Sequence, residues 1–223
     1  MKIEEWLPIY DSIAEAFSFS KKKDYASAVV LNKIVNPIDV SKISRMIRGK
    51  EINIFGAGPS LEDIKKIPRG FNITADGATS YLLDNGAVPD IVVTDLDGRI
   101  DDLINANQMG AIVFLHAHGD NVTSIKRYAE DFDRDKLYGT TQNRPFGKLL
   151  NYGGFTDGDR AVFIAETHSP SRITLYGMDF DAEPGKYSFT PQNKIPRKKR
   201  KLRWAKKLIG DLIKTSKTDI VFG

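Results

Sequence analysis

From Glu51 onward the sequence repeats one motif: a short apolar run that stops at a glycine or a polar residue. Ile52-Asn53-Ile54-Phe55 stops at Gly56-Ala57-Gly58-Pro59-Ser60, and Phe71 to Ala75 stops at Asp76-Gly77. Ile91 to Thr94 stops at Asp95, Ala111 to Leu115 at His116, and Ile173 to Tyr176 at Gly177-Met178-Asp179. The runs have strand length, and the stretches that follow have helical spacing. Strands alternating with helical segments of about 10–15 residues predict βαβ units. The fold class expected is therefore α/β: an open, mostly parallel, Rossmann-like sheet with helices on both faces. In such sheets ligands bind beyond the carboxyl ends of the strands. The polar residues that end the runs all fall there.

Three regions follow. Residues 1–50 form an N-terminal helical segment: Trp6, Ile9, Tyr10, Ile13, Ala16 and Phe17 share one helix face, a second periodic stretch runs from about Tyr25 to Val35, and Ser41 can cap a third helix ending near Gly49. This segment is expected to cover the core or to form a homodimer contact. Residues 51–181 are the α/β catalytic core. Residues 182–223 carry a loop and a basic helix that packs on the core, with Leu202, Ala205, Leu208, Ile209 and Leu212 at helical spacing. Eight basic residues and no acid lie between Arg197 and Lys207; removing them from the 33 leaves 25 against 29 acidic residues, so the basic character belongs to that helix alone. The chain has no cysteine, which excludes disulfides, Fe–S clusters and thiolate zinc sites. No apolar run approaches the ~18 residues of a membrane span, and the N-terminus lacks the order of a signal peptide. A cytoplasmic protein with no membrane partner is expected.

Four constellations can carry chemistry. Gly56-Ala57-Gly58-Pro59-Ser60 leads into the helical-looking Leu61-Glu62-Asp63-Ile64, an arrangement that lets backbone N–H groups approach a phosphate. Leu61 stands where a dinucleotide fingerprint has its third glycine, so a tight turn capped by Ser60 is the alternative. In Asp95-Leu96-Asp97-Gly98 the two carboxylates at i and i+2 can point into one crevice. Two ionised carboxylates so close repel unless a cation holds them, and hard oxygen donors select Mg²⁺ or Mn²⁺. Asp76 at a neighbouring strand end can complete the set. Thr156-Asp157-Gly158-Asp159-Arg160 precedes a helix; it can be a cap, or it can place Asp157 on metal and Arg160 on phosphate. His116 and His118 flank Ala117 close to Asp120, a pattern able to bind a transition metal or to stay in the loop as hydrogen-bonded residues.

Taken in order, Ile52 to Pro59, Ala75-Asp76-Gly77-Ala78, Pro89-Asp90 with Thr94 to Asp97, and His116 to Asn121 resemble the archaeal 6-hydroxymethyl-7,8-dihydropterin pyrophosphokinases. Gly139-Thr140-Thr141-Gln142, Phe155 to Ala161 and Tyr176 to Phe180 continue the resemblance, which spans about Glu51 to Asp181. More distantly the set is similar to thiamine pyrophosphokinase, with Arg160 where that family has lysine. The resemblance implies Mg²⁺-dependent transfer of diphosphate from ATP to the hydroxymethyl group of the pterin, leaving AMP, in tetrahydromethanopterin or folate-type cofactor synthesis. It implies metal on Asp76, Asp95, Asp97 and Asp157, with Asp95, Asp97, Asp157 and Arg160 catalytic. Gly56, Gly58, Ser60, His116, His118, Thr140, Gln142, Thr156, Lys198 and Lys201 are expected to bind ATP or pterin, and Gln142 with Asn143 offers amide groups to a pterin edge.

Two other readings compete. A glycosyltransferase can use Asp-x-Asp to hold a metal on a nucleotide diphosphate. A nucleic-acid-binding protein can use the basic helix with Trp204 for stacking, although carboxylates gathered at the strand ends would repel a polyanion.

Overall fold

The computed structural model describes residues 1–223. Three helices lead, α1 (Ile3–Phe17), α2 (Lys21–Ile34) and α3 (Val40–Ile47). They are followed by β1 (Glu51–Phe55), β2 (Phe71–Ala75), α4 (Ala78–Asp84), β3 (Ile91–Thr94), α5 (Ile100–Gln108), β4 (Ile112–Ala117), α6 (Val122–Tyr128) and β5 (Leu137–Thr141). The chain ends in α7 (Asp157–Thr167), β6 (Arg172–Tyr176), α8 (Ile195–Thr215) and β7 (Asp219–Phe222). The seven strands make one sheet in the order β5-β4-β3-β2-β1-β6-β7, parallel at every pairing. The chain leaves β1 towards β2 but returns to β6 on the opposite side. That reversal opens a crevice at the carboxyl ends of the central strands.

Alternation along each strand divides the core. Ile52, Ile54, Ile73, Ile91, Val93, Ile112, Phe114, Ile173 and Leu175 face α1, α3, α7 and α8. Val92, Val113, Leu115 and Leu137 face α2, α5 and α6 on the other side, where Phe55 also meets α4. The N-terminal helices therefore straddle the sheet, and their apolar faces (Trp6, Tyr10 and Ile13 of α1, Leu31 of α2) are buried within this chain.

Several local expectations need correction. The cap of α3 is Asp39, whose carboxylate accepts from Lys42 N–H at 2.9 Å; Ser41 merely donates its hydroxyl to Asp39. The helix expected after Gly58 is a single 3₁₀ stretch, Pro59–Asp63. The strand expected to end at Leu115 continues to Ala117, so His116 is a buried strand residue rather than part of a loop. Strands β5 and β7 were not foreseen. In β5, Gly139 is the position where a side chain would strike Leu149, Val35 and Leu31, so an apolar run cannot form there.

Candidate active site

The chain bends sharply just past the ends of β2 and β3. Asp76 has φ +46° and Leu96 φ +67°. Aspartate tolerates this left-handed conformation, but leucine does so only when its surroundings hold it. Leu96 is held: its side chain is buried against the α5 side of the sheet, and its N–H donates to the Thr94 hydroxyl at 2.8 Å. The Thr94 hydroxyl in turn donates to Asp76 Oδ1 at 2.5 Å. Gly98 lies so close to the Asp76 carboxylate that a Cβ would come within 2.8 Å of it, and at Gly77 a Cβ would collide with the Tyr187 carbonyl.

These bends bring Asp76 and Asp95 to Asp157 at the start of α7, and one carboxylate oxygen of each lies within 4.8 Å of the others. Asp157 is placed by a capping box, in which Thr156 and Asp159 bond reciprocally, with Asp159 accepting from Thr156 N–H at 2.6 Å. Asp97 lines the same cleft but is exposed and stands outside the trio. The i, i+2 rule fails for it because Leu96 is not extended.

Asp95 accepts from His118 Nε2–H at 3.1 Å; His118 Nδ1 accepts from Asp120 N–H at 3.3 Å, which fixes the ring with its proton on Nε2. Asn121 ties the loop down through bonds to the carbonyls of Asp95 (2.9 Å) and His116 (2.7 Å). Burial works against the charge on Asp95, but the hydrogen bond from His118 and the charges of Lys201 and Lys198 outweigh it and hold this carboxyl below the usual range. Burial and the Asp95 charge push Asp76 up to about 7, and the same two causes push Asp157 well up despite Arg160. Asp97 is raised chiefly by the charge of Asp95. Such a set lacks positive charge. All its donors are hard carboxylate oxygens, so it fits Mg²⁺ or Mn²⁺.

Facing the carboxylates across a cleft of about 300 Å³, α8 supplies Lys198 and Lys201, with Lys194 and Arg197 at its rim. Arg203 lies elsewhere, beside Arg200, Trp204 and Lys207 on the outer surface. Arg160, expected to meet a phosphate, lines a smaller pocket beside the cleft rather than the cleft itself. Its buried guanidinium pairs with Asp157 at 3.0 Å and reaches the carbonyls of Gly154 and Phe155 at 3.4 Å. It orients a carboxylate of the trio from behind.

The glycine turn also has a local cause. A Cβ on Gly56 would fall 2.7 Å from the Gly177 carbonyl, and one on Gly58 would strike Asp179. The two chain segments could not otherwise pass at the crevice. Ser60 donates both its N–H (2.9 Å) and its hydroxyl (2.7 Å) to Asp179, so these two donors are already paired with a carboxylate. Gly56 and Gly58 do border a pocket that adjoins the cleft at Asp76, Asp157, Thr156 and Lys198. Thr140 is buried and bonds to His116 Nδ1 at 3.0 Å, and Gln142 is buried beside them. No helix is long and apolar enough to cross a membrane.

Residues 28–185 match the family model described as 6-hydroxymethylpterin diphosphokinase MptE-like. A protein of Methanothermobacter thermautotrophicus named 6-hydroxymethyl-7,8-dihydropterin pyrophosphokinase is 40% identical over 220 residues, 94% of either chain. Proteins of the same name from Methanocaldococcus jannaschii and Pyrococcus furiosus are 41% and 39% identical, covering 84% and 99% of this chain and 84% and 98% of their own. Among solved structures, a MAF glycosyltransferase from Magnetospirillum magneticum aligns with a TM-score of 0.46 at 17% identity, over 74% of this chain and 28% of that one. With the family model covering most of its length and three relatives each covering 84% of it or more, the chain belongs to the MptE-like 6-hydroxymethylpterin diphosphokinase family.

Proposed function

We propose that this protein transfers diphosphate from ATP to the hydroxymethyl group of 6-hydroxymethyl-7,8-dihydropterin, releasing AMP, with a divalent cation, Mg²⁺ in the first instance, held by Asp76, Asp95 and Asp157. The observation that carries the reading is the carboxylate trio facing Lys198 and Lys201 across one cleft, in a chain of this family. In the reaction the acceptor oxygen bonds to the β-phosphorus while the bond from that phosphorus to the α-bridging oxygen breaks. The oxygen leaves with AMP, and the hydroxyl proton passes to a carboxylate of the cleft. When bound, the cation offsets negative charge that grows on the phosphate oxygens.

The protein's own residues do the rest. Asp95 stays ionised because His118 and the two lysines favour its charge. Arg160 and the capping box hold Asp157 in place, and Thr94 holds Asp76. Lys198 and Lys201 lie where they can bind phosphate oxygens as point charges. Rigid placement matters, since positioning two reactants can lower a barrier by about 7–11 kcal/mol. Separating the nucleotides by chromatography after incubation with Mg²⁺, ATP and 6-hydroxymethyl-7,8-dihydropterin tests the reading. AMP equal to diphosphorylated pterin is expected. ADP alone, or turnover of a nucleotide sugar with ATP untouched, would overturn it.

A further inference from the structure

Beside the cleft lies a smaller pocket that the carboxylate trio does not account for. Asp24, His116, Gln142 and Arg160 form its polar lining, and Phe19 and Phe155 contribute aromatic surface. It joins the cleft past Asp95, His118 and Lys201. Asp24 belongs to the first turn of α2, yet is only 4% exposed. Three donors aim its carboxylate: Gly119 N–H at 2.6 Å, Gln142 Nε2 at 2.8 Å and the Tyr10 hydroxyl.

His116 is 2% exposed, and its Nε2 has no hydrogen-bond partner. Its Nδ1 meets the Thr140 hydroxyl at 3.0 Å, while that hydroxyl has the Leu115 carbonyl at 3.4 Å to donate to. With the Thr140 hydroxyl donating to that carbonyl, Nδ1–H donates to the hydroxyl, and in this tautomer Nε2 presents a bare lone pair. Burial, with the charge of Arg160, keeps the ring neutral. Buried polar atoms are rarely left unpaired in a folded protein. A buried carboxylate and a bare ring nitrogen lining one pocket with aromatic walls suit a flat heterocycle rich in N–H donors.

We propose that this pocket binds the aminopyrimidinone edge of the pterin acceptor, with Asp24 and His116 Nε2 accepting its N–H groups. The proposal rests on the function argued above and adds which pocket takes which substrate. The hydroxymethyl group sits at the opposite end of the bicycle from that edge. With the edge on Asp24, it points out towards Asp95 and the cleft. The nucleotide then occupies the pocket along Gly56, Gly58, Met178 and Phe180, which Lys198 borders together with the cleft.

The test measures binding of 6-hydroxymethylpterin by its fluorescence and of Mg-ATP by calorimetry, for the unaltered protein, Asp24→Asn and His116→Gln. A site built to pair N–H groups discriminates strongly when its acceptors are changed, so each variant should weaken pterin binding about tenfold or more, with Mg-ATP affinity within about twofold of the unaltered protein. Because Asp24 also holds Tyr10 and Gly119, melting temperatures accompany the titrations; if Asp24→Asn does not fold, His116→Gln decides. Unchanged pterin affinity in the folded variants, or an equal loss of Mg-ATP, overturns the pocket assignment and leaves the proposed function standing. An unaltered protein that binds Mg-ATP but no pterin overturns both. A crystal soaked with 6-hydroxymethylpterin gives the direct view: the ring should lie against Asp24 and Phe155, and a ring found against Met178 and Gly58 refutes the assignment.

Discussion

Asp76, Asp95 and Asp157 stand on backbone that is bent and buttressed, whereas Lys198 and Lys201 reach the same cleft as half-buried side chains from one face of a helix. The acidic wall is shaped by left-handed residues at two strand ends, a capping box and a buried arginine. The basic wall is anchored by Ala205, Leu208 and Ile209 of α8, with Trp204 and Leu212 packed partly against the core and exposed pairs such as Lys199–Glu183 (2.7 Å) along its side. Exposed pairs of that kind contribute little stability. One wall has its geometry set during folding, at a cost in strain and repulsion. The other keeps charge that can follow a ligand.

The largest effect that would break this contrast is on the acidic side. Asp95→Asn should lower turnover by about 10²–10³-fold, as the loss of a preorganised electrostatic group does, while the melting temperature changes little. Asp97→Asn, outside the trio, should cost clearly less; equal losses in a steady-state assay would return Asp97 to the metal ligands. On the basic side, Lys198→Ala with Lys201→Ala should raise the Michaelis constant for ATP about tenfold, the size of one or two charge-assisted bonds. Arg203→Ala should leave it unchanged, and an Arg203 effect of similar size would mean that the whole helix acts as a diffuse field.

A smaller effect concerns protons. A carboxyl lifted to about 7 retains its proton when the protein is mildly acidic, and a cation must displace it. Divalent-ion affinity should therefore rise with pH up to about 7 and then level off. Calorimetry at about pH 6 in buffers of different ionisation enthalpy should detect a released proton, and heats independent of buffer would contradict the assignment to Asp76. Smallest of all, Ser60→Ala removes one hydrogen bond to Asp179 and should cost about 1 kcal/mol in denaturant melts. Its ATP Michaelis constant should be unchanged; a large increase would show that Ser60 meets the nucleotide after all.

Much of the site was legible along the chain. The turns Asp76-Gly77, Asp95 to Asp97 and Thr156-Asp157 follow or precede recognisable elements, and parallel strands bring their carboxyl ends to one edge. Asp24 was not legible, because an acid in a helix's first turn is an ordinary helix feature; only the packing of α2 beside β4 and β5 carries it to His116 and Gln142. Strand β5 was hidden because its glycine and threonines break the apolar pattern.

The sequence by itself determined the α/β class, the edge where the polar residues gather and the charge of α8, since periodicity and strand-end chemistry are local properties. Only the tertiary structure decided which carboxylates meet, that Arg160 backs Asp157 instead of bordering the cleft, and that Asp179 fills the glycine turn. The meeting of the carboxylates depends on backbone bends and on elements far apart in the chain, and the filling of the turn on a contact across more than a hundred positions, Ser60 with Asp179; local pattern carries no record of such distances.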